Sequence, residues 1–568
     1  MKIRIKTLSV LTVLSLMCMS CNDWLDVKPE GTPNEGSFWK IDKDYSDAMD
    51  AVYANLSLEE TWGRDLFWEQ GASDDIFFSV PRGAAQMNLA NLDMDGTTEG
   101  SIQDIYGYLY EMMAGANNVI YHGLKLEDPS ARIKNHIGEA YFMRAFSHFM
   151  IAYRYGRSDN GVPFDRYEDY DPYLNNKIPE QRATVMDNYK LIIEDLDKAI
   201  ERLPYFYEYS ESDYGRATKD AAIALKVKTY AYWAQYDASK WKLIPTLVDE
   251  LKTNAKRDLE DNFADVFTIK NEWGKEYIWS VNSNGANSAG SIFPGMMLDK
   301  GGWGRYNGWG NFKPTLELWA EYDENDLRRP VTILQYGDEF TYFGEKRKFY
   351  SNVELECGFH FNKYMEPFEY GSIDKDGAGV SSTVSGNGNR PTTDLNLPIM
   401  RFAEMLLFKA EALIEQGDGI NAAKVLNLIS DRAGMGEPYS NATIEDLMHE
   451  RRCELAGEFT DRVMDLKRWA VKYPKAKAML EAAKHGLKYK DRSNPDSELA
   501  DNKPETTDKD GNKIPAIFGI TINGKTYPKG VIEIMPAKTY NPDKACVLPY
   551  EKNEVTKAQG ALKQNKNY

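Results

Sequence analysis

The sequence predicts a mainly α-helical protein in which tetratricopeptide-like helical hairpins pack against an irregular, loop-rich region with short strands. Two observations carry this prediction. Between Arg401 and Trp469, apolar and small residues recur with the three-and-four spacing of one helical face. Between about Phe263 and Asn396, short aromatic runs and glycine clusters replace that spacing, which favours short strands joined by loops.

The segment from Arg401 begins with a predicted helical hairpin. Residues 416–419 include two glycines, which adopt the left-handed conformation of a helix end at low cost, so the first helix should end there. A second helix should run from Ile420 to Arg432. Alanines on both helices allow close approach, and a hairpin of this kind buries its apolar face only against neighbouring helices.

Two further helices and a dense charge pattern complete this segment. Thr443 followed by Asp446 is a variant of the capping box and should open the third helix, and residues 462–469 should form the fourth. The favoured interpretation of the charges is an ion-pair network between helices, with Glu458 and Arg462 as an i,i+4 pair, and the alternative is acid–base catalysis. The charged residues are Glu450, Arg451, Arg452, Glu454, Glu458, Arg462, Asp465 and Arg468.

Helical patterns also fill the N-terminal half, whereas residues 62–91 mix aromatics with glycine, aspartate and proline and predict a loop. The predicted helices are Tyr45–Leu56, Ile102–His122, Arg132–Tyr155, Thr184–Leu203 and Ala217–Gln235.

The N-terminus predicts export and lipidation. Lys2, Arg4 and Lys6 precede an apolar run from Leu8 that is shorter than the roughly 20 residues of a membrane-spanning helix. Residues 1–20 therefore form a lipoprotein signal peptide, and Cys21 is the expected lipidation site. Such a protein is held to the membrane by its acyl chains.

The net charge restricts the classes of ligand. The formal charge is -18, which argues against nucleic acid and against electrostatic adhesion to anionic lipid. A neutral or cationic ligand is easier to accommodate.

Four motifs in the segment from Arg401 to Trp469 resemble those of a known family. They are R-x-A-E-x-L-L at 401–407, R-A-G at 432–434, E-R-x-x-E-L-x-x-E at 450–458 and D-L-x-R-W at 465–469. The pattern is similar to the SusD-like (RagB/SusD) outer-membrane nutrient-binding lipoproteins of Bacteroidetes. The resemblance implies a SusD-like fold that binds glycans without cleaving them, with no cofactor. It also implies docking on a SusC-like TonB-dependent transporter and a lipid anchor in the outer membrane, facing the cell surface.

The same resemblance suggests one SusD-like domain over residues 21–568. Its expected parts are an N-terminal helical part at 40–260, a loop-rich ligand-site insertion at 261–400 and a helical signature region at 401–475. A polar excursion, a hairpin and the C-terminal tail should occupy 476–568.

The strongest candidate ligand site is the stretch Gly301–Asn311. Its three large aromatics are separated by glycines, which suits an exposed platform beside polar groups. A sugar ring stacks its C–H face on such a platform while polar side chains bind its hydroxyls. The alternative is structural packing. The candidates are Trp303, Arg305, Tyr306, Trp309 and Asn311.

Four residues of the preceding loop are further candidates. Trp62 and Trp68 could add stacking surfaces, with burial under the loop as the alternative. By resemblance, Asp74 and Arg82 lie where family members often place hydrogen-bonding ligand residues.

Two sequence matches to known binding loops are discounted. Residues 519–526 match the phosphate-loop pattern, but their interior alternates like a strand and Asn523-Gly524 is typical of a hairpin turn. Residues 91–96 resemble the start of a calcium loop, but Ile102 occupies the position of the bidentate glutamate, so an Asx turn is favoured. We therefore expect no bound metal. A peptide-binding RagB-type uptake protein and a surface glycoside hydrolase stay as alternatives.

Overall fold

The computed structural model describes residues 38–79, 83–97, 101–169, 172, 178–284, 290–299, 306, 308–351, 357–375, 379–386, 388–389 and 391–568. Long helices dominate these ranges and the strands are short, so the predicted mainly α-helical fold class is confirmed. No helix in the described ranges is long and apolar enough to cross a membrane.

The N-terminal half consists of helices that pack largely in chain order, and the predicted helices are confirmed to within a few residues at their ends. Ser130 accepts a hydrogen bond from the Ile133 amide at 3.1 Å, and Thr184 and Asp187 cap each other reciprocally. The helices are α1 (Asp42–Ala54), α2 (Ala84–Ala90), α3 (Ser101–Gly123), α4 (Ala131–Tyr155), α5 (Val185–Arg202), α6 (Lys219–Ala234) and α7 (Ile244–Thr253). Helix α4 packs against both α3 and α5, which explains why it is buried from residue 136 to its end.

Residues 62–91 are more ordered than a loop. They contain a 3₁₀ helix at Asp65–Ala72, the strand β1 (Ile76–Phe78) and helix α2. The prediction of a loop was wrong here because the aromatic side chains find packing partners that are distant in the sequence.

The insertion contains the short strands that the sequence predicts, and it also contains short helices that the sequence analysis did not predict. Its helices are α8 (Phe293–Met297), α9 (Leu316–Glu321) and α10 (Arg328–Thr332). Its strands are β2 (Tyr277–Val281), β3 (Phe312–Pro314), β4 (Ile333–Gln335), β5 (Glu339–Tyr342), β6 (Glu345–Lys348), β7 (Phe359–Phe361), β8 (Ser372–Ile373), β9 (Gly379–Val380) and β10 (Leu397–Arg401). Pairs form between β1 and β3, β2 and β10, β4 and β7, β5 and β6, and β8 and β9.

The signature segment forms the predicted hairpin and the helices after it. They are α11 (Phe402–Glu415), α12 (Gly419–Arg432), α13 (Ile444–Leu455), α14 (Arg462–Ala470) and α15 (Pro474–Glu481). Gly417 has φ +81°, which fits the predicted turn, and Thr443 and Asp446 form the predicted reciprocal cap. Helix α11 packs against α12 and also against α6 and α7, so the hairpin buries its face on the N-terminal helices.

The C-terminal part adds a three-stranded sheet in the order β11, β15, β14. Its strands are β11 (Lys484–Leu487), β12 (Thr506–Thr507), β13 (Lys513–Ile514), β14 (Phe518–Ile522) and β15 (Lys525–Met535), followed by helices α16 (Pro542–Ala545) and α17 (Lys552–Lys557). One hydrophobic cluster includes side chains from every part of the described chain, from Tyr45 to Leu562.

Both discounted loops have the geometry that the sequence predicts. Asn523 and Gly524 have φ of 48° and 77° and join β14 to β15, which is the backbone of a two-residue hairpin turn. Residues 519–526 therefore form a hairpin, which is no phosphate loop. The carboxylate of Asp95 accepts a hydrogen bond from the Thr97 amide at 2.9 Å, which makes an Asx turn.

Candidate functional site

The charged residues of the signature segment form a buried ion-pair network. Arg401 pairs with Glu276 and Glu458, each at 2.7 Å, and with Glu454 at 2.5 Å. The structural interpretation of these charges is confirmed. The predicted pair between Glu458 and Arg462 is wrong, because Arg462 pairs with Asp74 at 3.0 Å.

The pairing of β1 with β3 brings together two segments that the sequence analysis singles out separately. Phe78 lies opposite Phe312, and the Ser79 amide donates to the Asn311 carbonyl at 3.2 Å. The Ser79 hydroxyl donates to the carbonyl of Gly310. Residue 79, which precedes the segment of Arg82, therefore lies beside the end of the glycine-spaced aromatic stretch.

Trp309 is half-buried at this edge and lies against a positioned arginine. The guanidinium carbon of Arg64 is 5.0 Å from the centre of the Trp309 ring. Arg64 donates from Nε to Asp65 at 2.7 Å, and its Nη2 lies 2.8 Å from a carboxylate oxygen of Glu59. A cation over an indole contributes about 0.5–1 kcal/mol at a partly exposed site. The two carboxylates thus fix the cation that holds Trp309.

Asn311 is fully buried and its side-chain amide lacks partners. Neither its oxygen nor its nitrogen makes a hydrogen bond within the described part of the chain. A buried amide of this kind costs free energy and calls for a water or ligand that completes its bonds. Asn311 lies two residues after Trp309, so the polar group and the aromatic ring belong to the same edge.

Trp62 and Trp68 are in the core, which agrees with the predicted burial under the loop and not with a stacking surface. The ring centres of Trp62 and Phe146 are 5.4 Å apart, and those of Trp68 and Phe312 are 4.6 Å apart. The Trp68 indole donates to Asp65 at 2.9 Å. Ring faces that pack against protein offer no stacking surface to a ligand, and the alternative of burial applies to both residues.

Tyr306 is also packed. Only 1% of its surface is exposed, its ring stacks on Phe343 at 5.4 Å, and its hydroxyl donates to the Gly379 carbonyl at 3.5 Å. The expectation that all three aromatics of the stretch avoid the core is corrected for Tyr306, which anchors the stretch to the insertion.

Asp74 takes part in the core ion pairs. Its carboxylate lies 3.1 Å from Arg452 and 3.0 Å from Arg462, and it is 5% exposed. Burial alone would raise the pKa of Asp74, but the two guanidinium groups hold it well below its usual range. The carboxylate is thus committed to the two arginines, and the structure gives it a structural contact in place of the expected ligand contact.

The remaining predicted residues, Trp303, Arg305, Arg82 and the lipidation site Cys21, lie outside the described residues. The sequence analysis missed Arg64. The signal that could have identified it is a single cation between Trp62 and Trp68, since an arginine among aromatics is placed to make a cation–π contact.

Two family models match the chain. A model described as the SusD family matches residues 275–568, and one described as starch-binding, associating with the outer membrane, matches residues 23–231. SusD-like protein P2 of Formosa agariphila is 25% identical over 485 residues, which are 80% of this chain and 89% of that protein.

Solved structures share the fold. A SusD-like protein of Bacteroides fragilis gives a TM-score of 0.72 at 20% identity, with 94% of this chain and 99% of that chain covered. The surface glycan-binding protein A of Bacteroides thetaiotaomicron, in complex with laminarihexaose, gives a TM-score of 0.66 at 21% identity, with 93% and 100% covered.

Proposed function

Because the chain belongs to the SusD family, we propose that it is a cell-surface glycan-binding lipoprotein that captures oligosaccharides or polysaccharide. The observation that supports this most is the edge of β1 and β3, where the half-buried Trp309 occurs together with the Asn311 amide, which has no partner in the described part of the chain. The solved relative with laminarihexaose binds a glycan on the same fold, which supports the ligand class.

The chemistry of this edge suits a sugar. A pyranose ring presents a C–H face to an indole and hydroxyls to an amide, and an amide both donates and accepts. Trp309 supplies the ring face, and Asn311 supplies the amide. Trp303, Arg305 and Arg82 belong to the same two segments and remain proposed ligand residues.

The wider role follows the family. We propose that the chain passes its glycan to a SusC-like TonB-dependent transporter and is anchored in the outer membrane through lipidated Cys21, facing the cell surface. We further propose that residues 21–568 act as one domain whose insertion at 261–400 carries the ligand site. Capture and delivery need no covalent step, so the proposal includes no enzyme activity.

Replacing Trp309 with alanine tests the site. We expect Trp309→Ala to lose retardation in native gels that contain the bound polysaccharide, with laminarin, starch, xylan and mannan as the panel. Affinity for the matching oligosaccharide should fall about tenfold, or about 1.4 kcal/mol, by calorimetry. Trp273→Ala is the matched control, because Trp273 is also half-buried but packs on Tyr214 and Phe206.

Three outcomes separate the proposal from its competitors. Unchanged binding by Trp309→Ala would place the glycan elsewhere. A wild-type protein that ignores the panel but binds peptide mixtures would be a RagB-type peptide binder. Release of reducing ends from a retained polysaccharide would identify a glycoside hydrolase.

A further inference from the structure

A large cleft lies beside the first turns of helix α3. It has a volume of about 790 Å³ and lies between helix α3, helix α17 and the chain at Pro163 and Pro179. This volume is within the roughly 300–1,000 Å³ of sites that bind small molecules. None of the residues that line the cleft belongs to the candidate site described above.

Tyrosines form one wall of this cleft. Tyr106 and Tyr110 pack with their rings 4.7 Å apart, and the Tyr110 hydroxyl donates to the Pro163 carbonyl at 2.8 Å. Tyr108 also lines the cleft and is half-buried, but it has no ring contact and no hydrogen bond among the described residues. Packing therefore fixes the positions of Tyr106 and Tyr110, while the Tyr108 ring has no packing partner within the described ranges.

Three of the four carboxylates that line the cleft have no cationic partner among the described residues. Asp104, Glu111 and Glu551 line it, and no lysine or arginine of the described chain lies within salt-bridge distance of them. Lys557 also lines the cleft, but it pairs with Glu554 at 2.8 Å. Burial raises the pKa of Asp104, and repulsion from Asp65, Glu60 and Glu551 adds to the shift.

We propose that this cleft binds an amino sugar, with its ring on Tyr108 and its protonated amine between the carboxylates of Asp104 and Glu551. An open cleft lined by these carboxylates attracts a cation and repels an anionic sugar. A tyrosine wall adds cation–π attraction and a face for the sugar ring. The lysine side chain of a peptide ligand would also bind the carboxylates, but it has no rigid ring face that could pack on Tyr108.

Three disaccharides with the same linkage test the ligand class. They are the glucosamine disaccharide, its N-acetylated form and the neutral glucose disaccharide, measured by calorimetry at about pH 6, where an amine with a pKa of about 7.7–8 is protonated. We expect the amine form to bind at least about fivefold more tightly than the other two at low salt. This advantage should shrink in 1 M salt, where the Debye length is about 3 Å.

Charge-removing variants test the residues. In Asp104→Asn/Glu551→Gln the advantage of the amine form should fall below about twofold, since an exposed ion pair is worth about twofold to fivefold. Glu127→Gln/Asp128→Asn removes the same charge from exposed residues after the other end of α3, about 30 Å away at 1.5 Å per residue, and should bind like the wild type. Tyr108→Leu should weaken all three sugars together.

Each opposite result overturns the proposal. The proposal is wrong if the amine and acetylated forms bind equally, or if none of the three sugars binds. It is also wrong if Asp104→Asn/Glu551→Gln still binds the amine form more tightly than the other two sugars. The same is true if Glu127→Gln/Asp128→Asn loses this preference as well. The Trp309→Ala variant should keep its amine binding, so failure of this cleft and failure of the Trp309 site are separate observations. Thermal unfolding of each variant confirms that it folds.

Discussion

Buried carboxylates of the signature segment at 401–475 have cationic partners, whereas one buried amide of the insertion at 261–400 has no hydrogen-bond partner among the described residues. In the signature segment, Glu454 and Glu458 meet guanidinium groups. In the insertion, Glu272 lies near other carboxylates, and the amide of Asn311 meets no partner in the described structure. The first arrangement stabilises a fold, whereas the second leaves polar capacity that a ligand could use. We therefore expect the paired carboxylates to contribute to stability and the Asn311 amide to contribute to binding.

The largest expected effect is on stability, from Arg401→Ala. It leaves Glu276, Glu454 and Glu458 with fewer cationic partners in the core, and breaking such a buried network costs about 3–5 kcal/mol. The free energy of unfolding from urea titration measures the loss.

The matched control for Arg401 is an exposed ion pair at the end of the same segment. Lys472 is 61% exposed and pairs with Glu415 at 2.7 Å, so Lys472→Ala should cost less than about 1 kcal/mol. Similar losses in both variants would contradict a special role for the buried network.

Glu272→Gln should have a smaller effect of opposite sign. Burial raises the pKa of Glu272 to about 8, and Glu366 and Asp394 add repulsion. A raised folded-state pKa favours the protonated form, so this stabilisation is complete below about pH 4 and is lost as the pH rises through 8. With an unfolded-state pKa of about 4.3, the shift corresponds to a loss of up to about 4 kcal/mol by the wild type relative to Glu272→Gln between about pH 5 and 9.

Urea titrations across that pH range test the difference. Glu339→Gln, which removes an exposed carboxylate of the insertion, should follow the wild type. A constant gap between wild type and Glu272→Gln would show that the ionisation of Glu272 does not control stability.

Local patterns predicted local structure well. The cap at Thr443 and the turn at Asn523-Gly524 depend on a few neighbouring residues, so the sequence identified both. The candidate site depends on partners that are distant along the chain. Trp68 packs on Phe312, and Ser79 pairs with Asn311 more than two hundred residues away.

The spacing of residues in the sequence therefore could not predict which side chains of the site are buried. Aromatic residues between glycines and aspartates look the same in sequence whether they face solvent or a second segment. Trp62 and Trp309 occur in similar surroundings, yet one is in the core and the other is half-buried. The sequence pattern of these segments therefore did not distinguish the buried aromatic side chains from the half-buried one.

Asn311→Leu gives the smallest expected change in stability and the sharpest test of the contrast. Leucine has a similar shape and no polar atoms, so it removes a buried amide that makes no hydrogen bond to the described residues. We expect the ligand-free protein to gain about 1 kcal/mol in unfolding free energy while glycan affinity falls. Asn427→Leu is the control, because Asn427 donates to and accepts from the backbone of Tyr439 and should lose stability when replaced.

In Asn311→Leu, the free energy of unfolding should rise while the glycan affinity falls. A loss of stability in Asn311→Leu would mean that water already completes the bonds of the amide, as it does for many buried polar groups. A gain in stability with unchanged affinity would separate Asn311 from the ligand. Only a gain in stability together with weaker binding shows that the Asn311 amide is kept for the ligand. The protein then binds its ligand at the cost of a lower free energy of unfolding.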